Sequence, residues 1–405
     1  MLITNVHIPG NTRPQNIWIE GNRIRSVADA GRHSEKVQMN SVIAFTGNHW
    51  DQKQNNSVIE FENAFAFPGL INSHDHLDFN LFPKFGNKIY RNYVSWGNEI
   101  NSEFKEEIRK ILNVPQELRI KWGIYKNLLN GFTTVVNHGA ILPISISLID
   151  IIQQDNNLHS VQFEKHWKWK LNKNFIKNGP LVIHAGEGTD ELASSEINQL
   201  IRWNLFGKKI VAVHGVAMEP KQADKFKALV WCPASNFSML NQTARVDLLR
   251  HNTRILFGTD STLTSNWNAW DHFRTARSTR MVADDGLFNM LTTDAAAIWD
   301  LKVTGKLEGD YLADIVIAKK PKGFEGWDAF YEINPSDILM VIHRGEVKLF
   351  DGELFGKVQK LHLPLANFAK LTMGDSCKYV YGDLPELIKQ IRKYIPSQEF
   401  PVHPA

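Results

Sequence analysis

Cysteine is nearly missing: Cys232 and Cys377 are the two in 405 residues, too few for a disulfide framework and not at zinc-finger or CxxC spacing. That scarcity fits a reducing, cytoplasmic compartment. Long apolar runs are missing as well, since no stretch approaches the roughly 20 residues needed to span a bilayer. The first residues, MLITNVHIPGNTRPQ, alternate polar with apolar and meet a proline early, so the basic and apolar regions of a secretory signal are not there. Nor is there an excess of one charge: 46 Lys and Arg against 43 Asp and Glu leave +3, too weak a field to point to nucleic acid. Internal repeats and low-complexity segments are also lacking. The partners this leaves are a small-molecule substrate, with no nucleic acid and no membrane, and a homo-oligomer as an open option.

The hydrophobic pattern divides the chain. Residues 2–65 are short, alternating and β-rich (LITNVHI, NIWIEGNRIRSV, VQMNSVIAF, SVIEFENAFAF), broken by Gly, Asn and Pro turn signals. After Pro68-Gly69 the rhythm becomes apolar runs alternating with helical stretches: LINSHDHL, FTTVVNHG, LVIHAGEG, IVAVHGVA, LVWCPASN and ILFGTDST. Continuous apolar runs separated by helices are the mark of βα units with a parallel sheet buried on both faces. Strand character returns in ADIVIAKK and ILMVIHRGEVKLFDG, so the two ends are expected to fold into one small sheet domain, residues 1–65 with about 310–360. Residues 66–309 form the α/β domain, and 361–405 read as a helical tail packed on the outside, on the strength of PELIKQIRKYI. Residues 139–180 are short for two strands and their helices, and HSVQFEKHW is the candidate for one of those strands.

The chemistry sits at the ends of the apolar runs. His74 and His76 are two apart, so on a strand both imidazoles face one side and can converge on one ion. His184 with Glu187, then His214, then Asp260 close three later runs. In a barrel of βα units the active site lies at the C-terminal ends of the strands, where all of these fall. Three imidazoles and a carboxylate without thiolate suit one divalent metal ion, with Zn²⁺ the default and Fe, Mn or Ni the alternatives. In that arrangement His74, His76, His184 and Asp260 hold the ion, Asp260 also accepts a proton from an activated water, Glu187 protonates a nitrogen, and His214 polarises the substrate.

The ordered set PGLINSHDH, GFTTVVNH, HAGE, VHGV, WCPASN and GTDS, followed by LTTDAAAIWDL and GKLEGDYLADIVI, resembles the amidohydrolase superfamily, in its mononuclear deaminase and chlorohydrolase branch. The resemblance runs from the first β segment to about Val347. It implies a distorted TIM (β/α)8 barrel with a small β-sandwich built from both chain ends. His74, His76, His184 and Asp260 match the family's metal ligands, and Glu187 and His214 its proton-shuttling and polarising positions. The implied reaction is hydrolysis of a non-peptide carbon–nitrogen bond, most simply deamination of a small aminated heterocycle. A cyclic amide, ester or C–Cl hydrolase on the same site is the alternative within enzymes, and an inactive scaffold relative the alternative outside them.

Further positions carry weaker signals. Lys165 falls near where other branches place a carboxylated lysine bridging two metals, and otherwise reads as a solvated side chain. His138 is either outer support or a substrate contact, and Thr133, Asn137 or His138 could fix the tautomer of a ligating histidine. Ser235 and Asn236 read as a turn satisfying backbone groups, while Ser261 is placed to hydrogen-bond Asp260. The aromatic, mildly basic stretch FNLFPKFGNKIYRNYVSW reads as a lid, with Lys84, Arg91 and Trp96 as its candidate substrate contacts.

Overall fold

The computed structural model describes residues 1–30, 58–144, 147–153, 156–173 and 179–405. The run VQMNSVIAF lies outside them. The described chain forms two compact units: Met1–Gly69 with Lys306–Pro385 and Pro401–Ala405, and Leu70–Gly305 with Glu386–Phe400.

The first unit begins with β1 (Leu2–His7), β2 (Pro14–Glu20), β3 (Arg23–Asp29) and β4 (Val58–Pro68). In β2 the alternation is direct: Gln15, Ile17 and Ile19 are buried while the residues between them face outward. Among its described residues the second unit holds eight strands: β5 (Leu70–Asp75), β6 (Phe132–Asn137), β7 (Asp150–Gln153), β8 (Asn157–Ser160), β9 (Leu181–Ala185), β10 (Ile210–His214), β11 (Ala228–Trp231) and β12 (Arg254–Phe257). The chain returns to the first unit with β13 (Ile315–Lys319), β14 (Ile338–His343), β15 (Glu346–Asp351), β16 (Phe368–Met373), β17 (Ser376–Tyr381) and β18 (His403–Pro404).

Ten strands of the first unit hydrogen-bond in one sheet, in the order β18-β16-β17-β15-β14-β13-β4-β1-β2-β3. Among the described strands of this sheet only the β1–β4 pair is parallel. The tail expected to be helical therefore needs correction. Its helix exists at Leu384–Arg392, but β16 and β17 precede it as a hairpin that extends the sheet. Leu371, Met373 and Val380 turn inward, and Lys378 joins them because Asp351 meets its ammonium at 2.7 Å and two backbone carbonyls accept its remaining hydrogens. Alternation around Gly374-Asp375 was the legible hairpin signal.

All strand pairs of the second unit are parallel, in two sheets, β5-β6-β7 and β8-β9-β10-β11-β12. Their inward residues, Ile71, Val136, Val182, Val211, Val230 and Leu256 among them, make one apolar core. The hydrogen-bonded series breaks between β7 and β8. Those two strands lie within residues 150–160, with no room for a helix between them, which is how the short stretch 139–180 accommodates both. HSVQFEKHW is strand only through Ser160; its remainder turns into the helix Trp167–Asn172. Elsewhere helices from 4 residues (Pro220–Ala223) to 14 (Gln116–Leu129) join the strands, and Asp190 caps Glu191–Trp203 by accepting from the Ala193 N–H at 3.2 Å. Among the described residues no helix is long and apolar enough to cross a membrane.

Candidate metal centre and active-site cavity

His74 and Asp75 close β5, His76 follows, His184 lies in β9, His214 ends β10, and Asp260 comes three residues after β12. The Nε2 atoms of His74 and His184 approach to 3.2 Å, and Asp260 Oδ1 lies 3.8 Å from Nε2 of both His74 and His76. His74, His76 and His184 offer donor atoms within 4.8 Å of one another, as do His74, His214 and Asp260. Burial, reinforced by neighbouring imidazoles, holds His74 and His184 well below the ordinary histidine range, so both are neutral and their lone pairs are available. His74 Nδ1 is buried without a hydrogen-bond partner. Crowded neutral imidazoles facing a carboxylate, with no thiol among them, fit a divalent cation of the zinc type.

Beneath β5 lies a buried charged network. Asp75 pairs with Lys126 at 3.2 Å and accepts from Asn127 at 2.7 Å and Asn80 at 2.8 Å. Lys126, 1% exposed, also donates to Asn80 Oδ1 at 2.8 Å and to the Asp260 carbonyl at 3.4 Å. One ammonium thus ties the residue between two histidines to the backbone of the fourth candidate ligand. Asn72 reinforces the tie by bonding both the side chain and the backbone N–H of Thr259. Gly258 permits this closeness, because a Cβ there would sit 2.7 Å from the Cβ of His74. His214 and Asp260 both adopt positive φ, 73° and 57°, a conformation that non-glycine residues hold only when surrounding contacts enforce it.

The carboxylate of Asp260 is held by three donors: Ser235 Oγ at 2.8 Å, Thr264 Oγ1 at 3.0 Å and the Ser261 backbone N–H at 2.7 Å. Burial acts to raise its pKa, but the adjacent His214 and His76 and these hydrogen bonds outweigh it and keep the group below the usual aspartate value. Glu187 behaves oppositely. Burial, with Asp260 and Glu196 nearby, pushes its pKa well above the carboxylate range. Its Oε1 lies 3.4 Å from His214 Nε2. The pKa values of two carboxyl groups in one site are thereby shifted in opposite directions.

No protein-family model matches the chain. It is 25% identical over 356 residues to a 5-methylthioadenosine/S-adenosylhomocysteine deaminase of Clostridium tetani, covering 72% of this chain and 82% of that protein. It is similar in structure to an adenosine deaminase of Xanthomonas campestris with bound zinc, at a TM-score of 0.70 and 13% identity over 98% of this chain and 97% of that one. The chain has the fold of the amidohydrolase superfamily. An atrazine chlorohydrolase of Arthrobacter aurescens complexed with zinc shares this fold at a TM-score of 0.62 and 15% identity, over 85% of this chain and 94% of that one.

In this amidohydrolase fold the clustered residues line a cavity of about 410 Å3 together with apolar side chains, Phe79, Phe82, Tyr93, Trp96, Phe163 and Leu263 among them. Trp96 and Ser261 therefore stand where a substrate could meet them. Arg91 and Lys84 do not: both are exposed and outside the cavity, because the stretch 79–96 turns its aromatic side chains inward and its cations to water. His138 is also absent from the wall. Its ring stacks on His184 at 4.4 Å and its Nε2 bonds the Leu158 carbonyl at 3.0 Å, so it supports from behind. Asn137 accepts from the Leu77 N–H at 3.0 Å, holding the turn after His76 and no imidazole, while Thr133 Oγ1 has no partner. Ser235 and Asn236 need correction too, since they bond Asp260 and His214 instead of turn backbone. Lys165 is exposed, away from the cluster. Sequence reasoning passed over His159, an exposed residue on the cavity wall that meets the His184 ring at 5.1 Å, and Lys126, marked only by a polar Lys-Asn pair inside the apolar run GIYKNLL.

Proposed function

We propose that this chain is a hydrolytic deaminase that replaces the amino group of a small aminated heterocycle by oxygen and releases ammonia, favouring substrates with an apolar substituent. The reading is carried by one observation: Glu187 and Asp260, whose pKa values the site shifts in opposite directions, line one largely apolar cavity together with His76, His184 and His214. His74, His76, His184 and Asp260 hold one divalent cation, zinc by the donor set, which when bound supplies Lewis acidity and a water that ionises near neutral pH. Asp260 takes a proton from the attacking water. Glu187 gives its proton to the nitrogen on the substrate, and His214 Nε2, beside it, steadies the oxygen that develops negative charge. The aromatic wall stacks the ring and keeps bulk water out. The relative from Clostridium tetani, whose own substrates are adenosine derivatives, supports the reaction class.

The same reading closes the two parallel sheets into a distorted barrel and folds the ten-stranded sheet into a sandwich. Support for closure comes from the Asp260 N–H, which donates to the His74 carbonyl at 3.0 Å and joins the ends of β12 and β5. Two unpaired thiols, Cys232 and Cys377, support a reducing cytoplasm.

The test pairs elemental analysis of protein purified without chelators with assays on aminated purines and triazines, following ammonia, and on chlorotriazines, following chloride. About one equivalent of transition metal and ammonia release are expected, both lost in His74→Ala/His76→Ala. Chloride release alone would move the reading to C–Cl hydrolysis, and no metal after reconstitution would overturn it.

A further inference from the structure

Behind His214 lies a buried chain of hydrogen bonds with a direction. The indole N–H of Trp231 donates to Thr243 Oγ1 at 2.6 Å, Thr243 Oγ1 donates to Asn236 Oδ1 at 3.3 Å, and Asn236 Nδ2 lies 2.9 Å from His214 Nδ1. Trp231 and Asn236 are fully buried, His214 is 1% exposed and Thr243 7%. An indole nitrogen can only donate, which makes the threonine oxygen an acceptor and sends its single hydrogen onward. That hydrogen needs an acceptor, and the amide oxygen of Asn236 provides it. The amide NH2 then faces His214, so Nδ1 must accept, and the ring proton of the neutral imidazole resides on Nε2. Turning the amide over would leave the threonine hydrogen buried against a second donor.

We propose that Trp231, Thr243 and Asn236 are positioning residues that lock His214 as its Nε2–H tautomer. Building on the deaminase reading, this makes His214 a hydrogen-bond donor to the reacting centre, beside Glu187, and withholds its Nε2 from the cation. The candidate ligand set then narrows to His74, His76, His184 and Asp260, although His214 lies close enough to His74 and Asp260 to have belonged to it. The direction starts at a tryptophan more than one side chain removed from the cavity.

The experiment uses the full-length, zinc-loaded protein labelled with nitrogen-15 histidine. Long-range proton–nitrogen correlation spectra distinguish the two tautomers, and His214→Gln identifies the signals by their loss. Wild type should show a proton-bearing Nε2 and an accepting Nδ1 at His214. Thr243→Val should disturb that pattern and lower kcat by roughly 10- to 100-fold with KM little changed and zinc content retained. Thr243→Ser, which restores the hydroxyl, should recover both the spectrum and the rate. A proton on Nδ1 in wild type would overturn the proposal, as would Thr243→Val with unchanged spectrum and rate, or Thr243→Ser as impaired as the valine variant. Should Thr243→Val fail to fold, the wild-type and serine spectra decide. If no substrate releases ammonia while the spectra respond as expected, the deaminase reading fails and the tautomer lock stands.

Discussion

The two sides of the cavity are built on different physics. Under β5 the support is charged: Asp75 and Lys126 are both buried, paired at 3.2 Å, and bind the histidine pair to the Asp260 backbone. Around Glu187 and His214 the support is neutral: amide, hydroxyl and indole groups in one directed chain, with burial raising the pKa of Glu187. An ion pair resists displacement in every direction and suits groups that must hold a cation in place. A directed chain decides where a hydrogen sits and suits groups that move protons. The comparison teaches that ligand placement and proton placement are separable here, and it can be broken experimentally.

The largest effect should come from Glu187→Gln, which keeps the size of the side chain but cannot cycle a proton. Turnover should fall roughly 100- to 10,000-fold while bound metal is retained, measured by steady-state kinetics beside elemental analysis. In wild type, activity should fall on the alkaline side as Glu187 loses its proton, since its pKa is raised. Retained turnover in Glu187→Gln would remove the distinction between the two sides.

Next is Lys126→Met. It leaves Asp75 buried without its partner and should cost about 3–5 kcal/mol in denaturant unfolding. Zinc affinity should weaken roughly 10- to 100-fold by competition with a chelator. If affinity is unchanged although stability drops, the charged network supports the fold and not the ligands.

A smaller effect is predicted at Glu196, fully buried and accepting from the Tyr93 hydroxyl at 2.6 Å. Burial raises its pKa from the ordinary 4.5 to about 7. The folded chain thus keeps a proton that the unfolded chain releases, so the stability contributed is full below pH 4.5 and is lost as pH rises through 7. Glu196→Gln should match wild type at pH about 4 and exceed it by about 2–3 kcal/mol at pH about 8. Equal unfolding midpoints at both pH values would show that Glu196 does not titrate in that window.

Much of the site was legible because its members end uninterrupted apolar runs. His74, His184 and His214 lie at the C-terminal ends of buried strands, and His76 and Asp260 follow such strands within three residues; these strands announce themselves as apolar runs. Supporting residues were less legible. Lys126 belongs to the helix Gln116–Leu129 and Thr243 to a loop, 51 and 29 positions from the residues they serve, Asp75 and His214. Local pattern has no access to such contacts. Arg91 and Lys84 misled for a related reason: composition placed cations and aromatics in one stretch, while burial sorted them to opposite faces.

By itself the sequence determined the alternation of apolar strand and helix, the donor types and their order, because hydrophobic periodicity and residue chemistry are local properties. Only the tertiary structure decided which carboxyl group has its pKa raised and which lowered, which way the Asn236 amide points and how β7 and β8 share residues 150–160. Those depend on desolvation and on hydrogen-bond partners distant in the chain, and burial makes each of them energetically decisive.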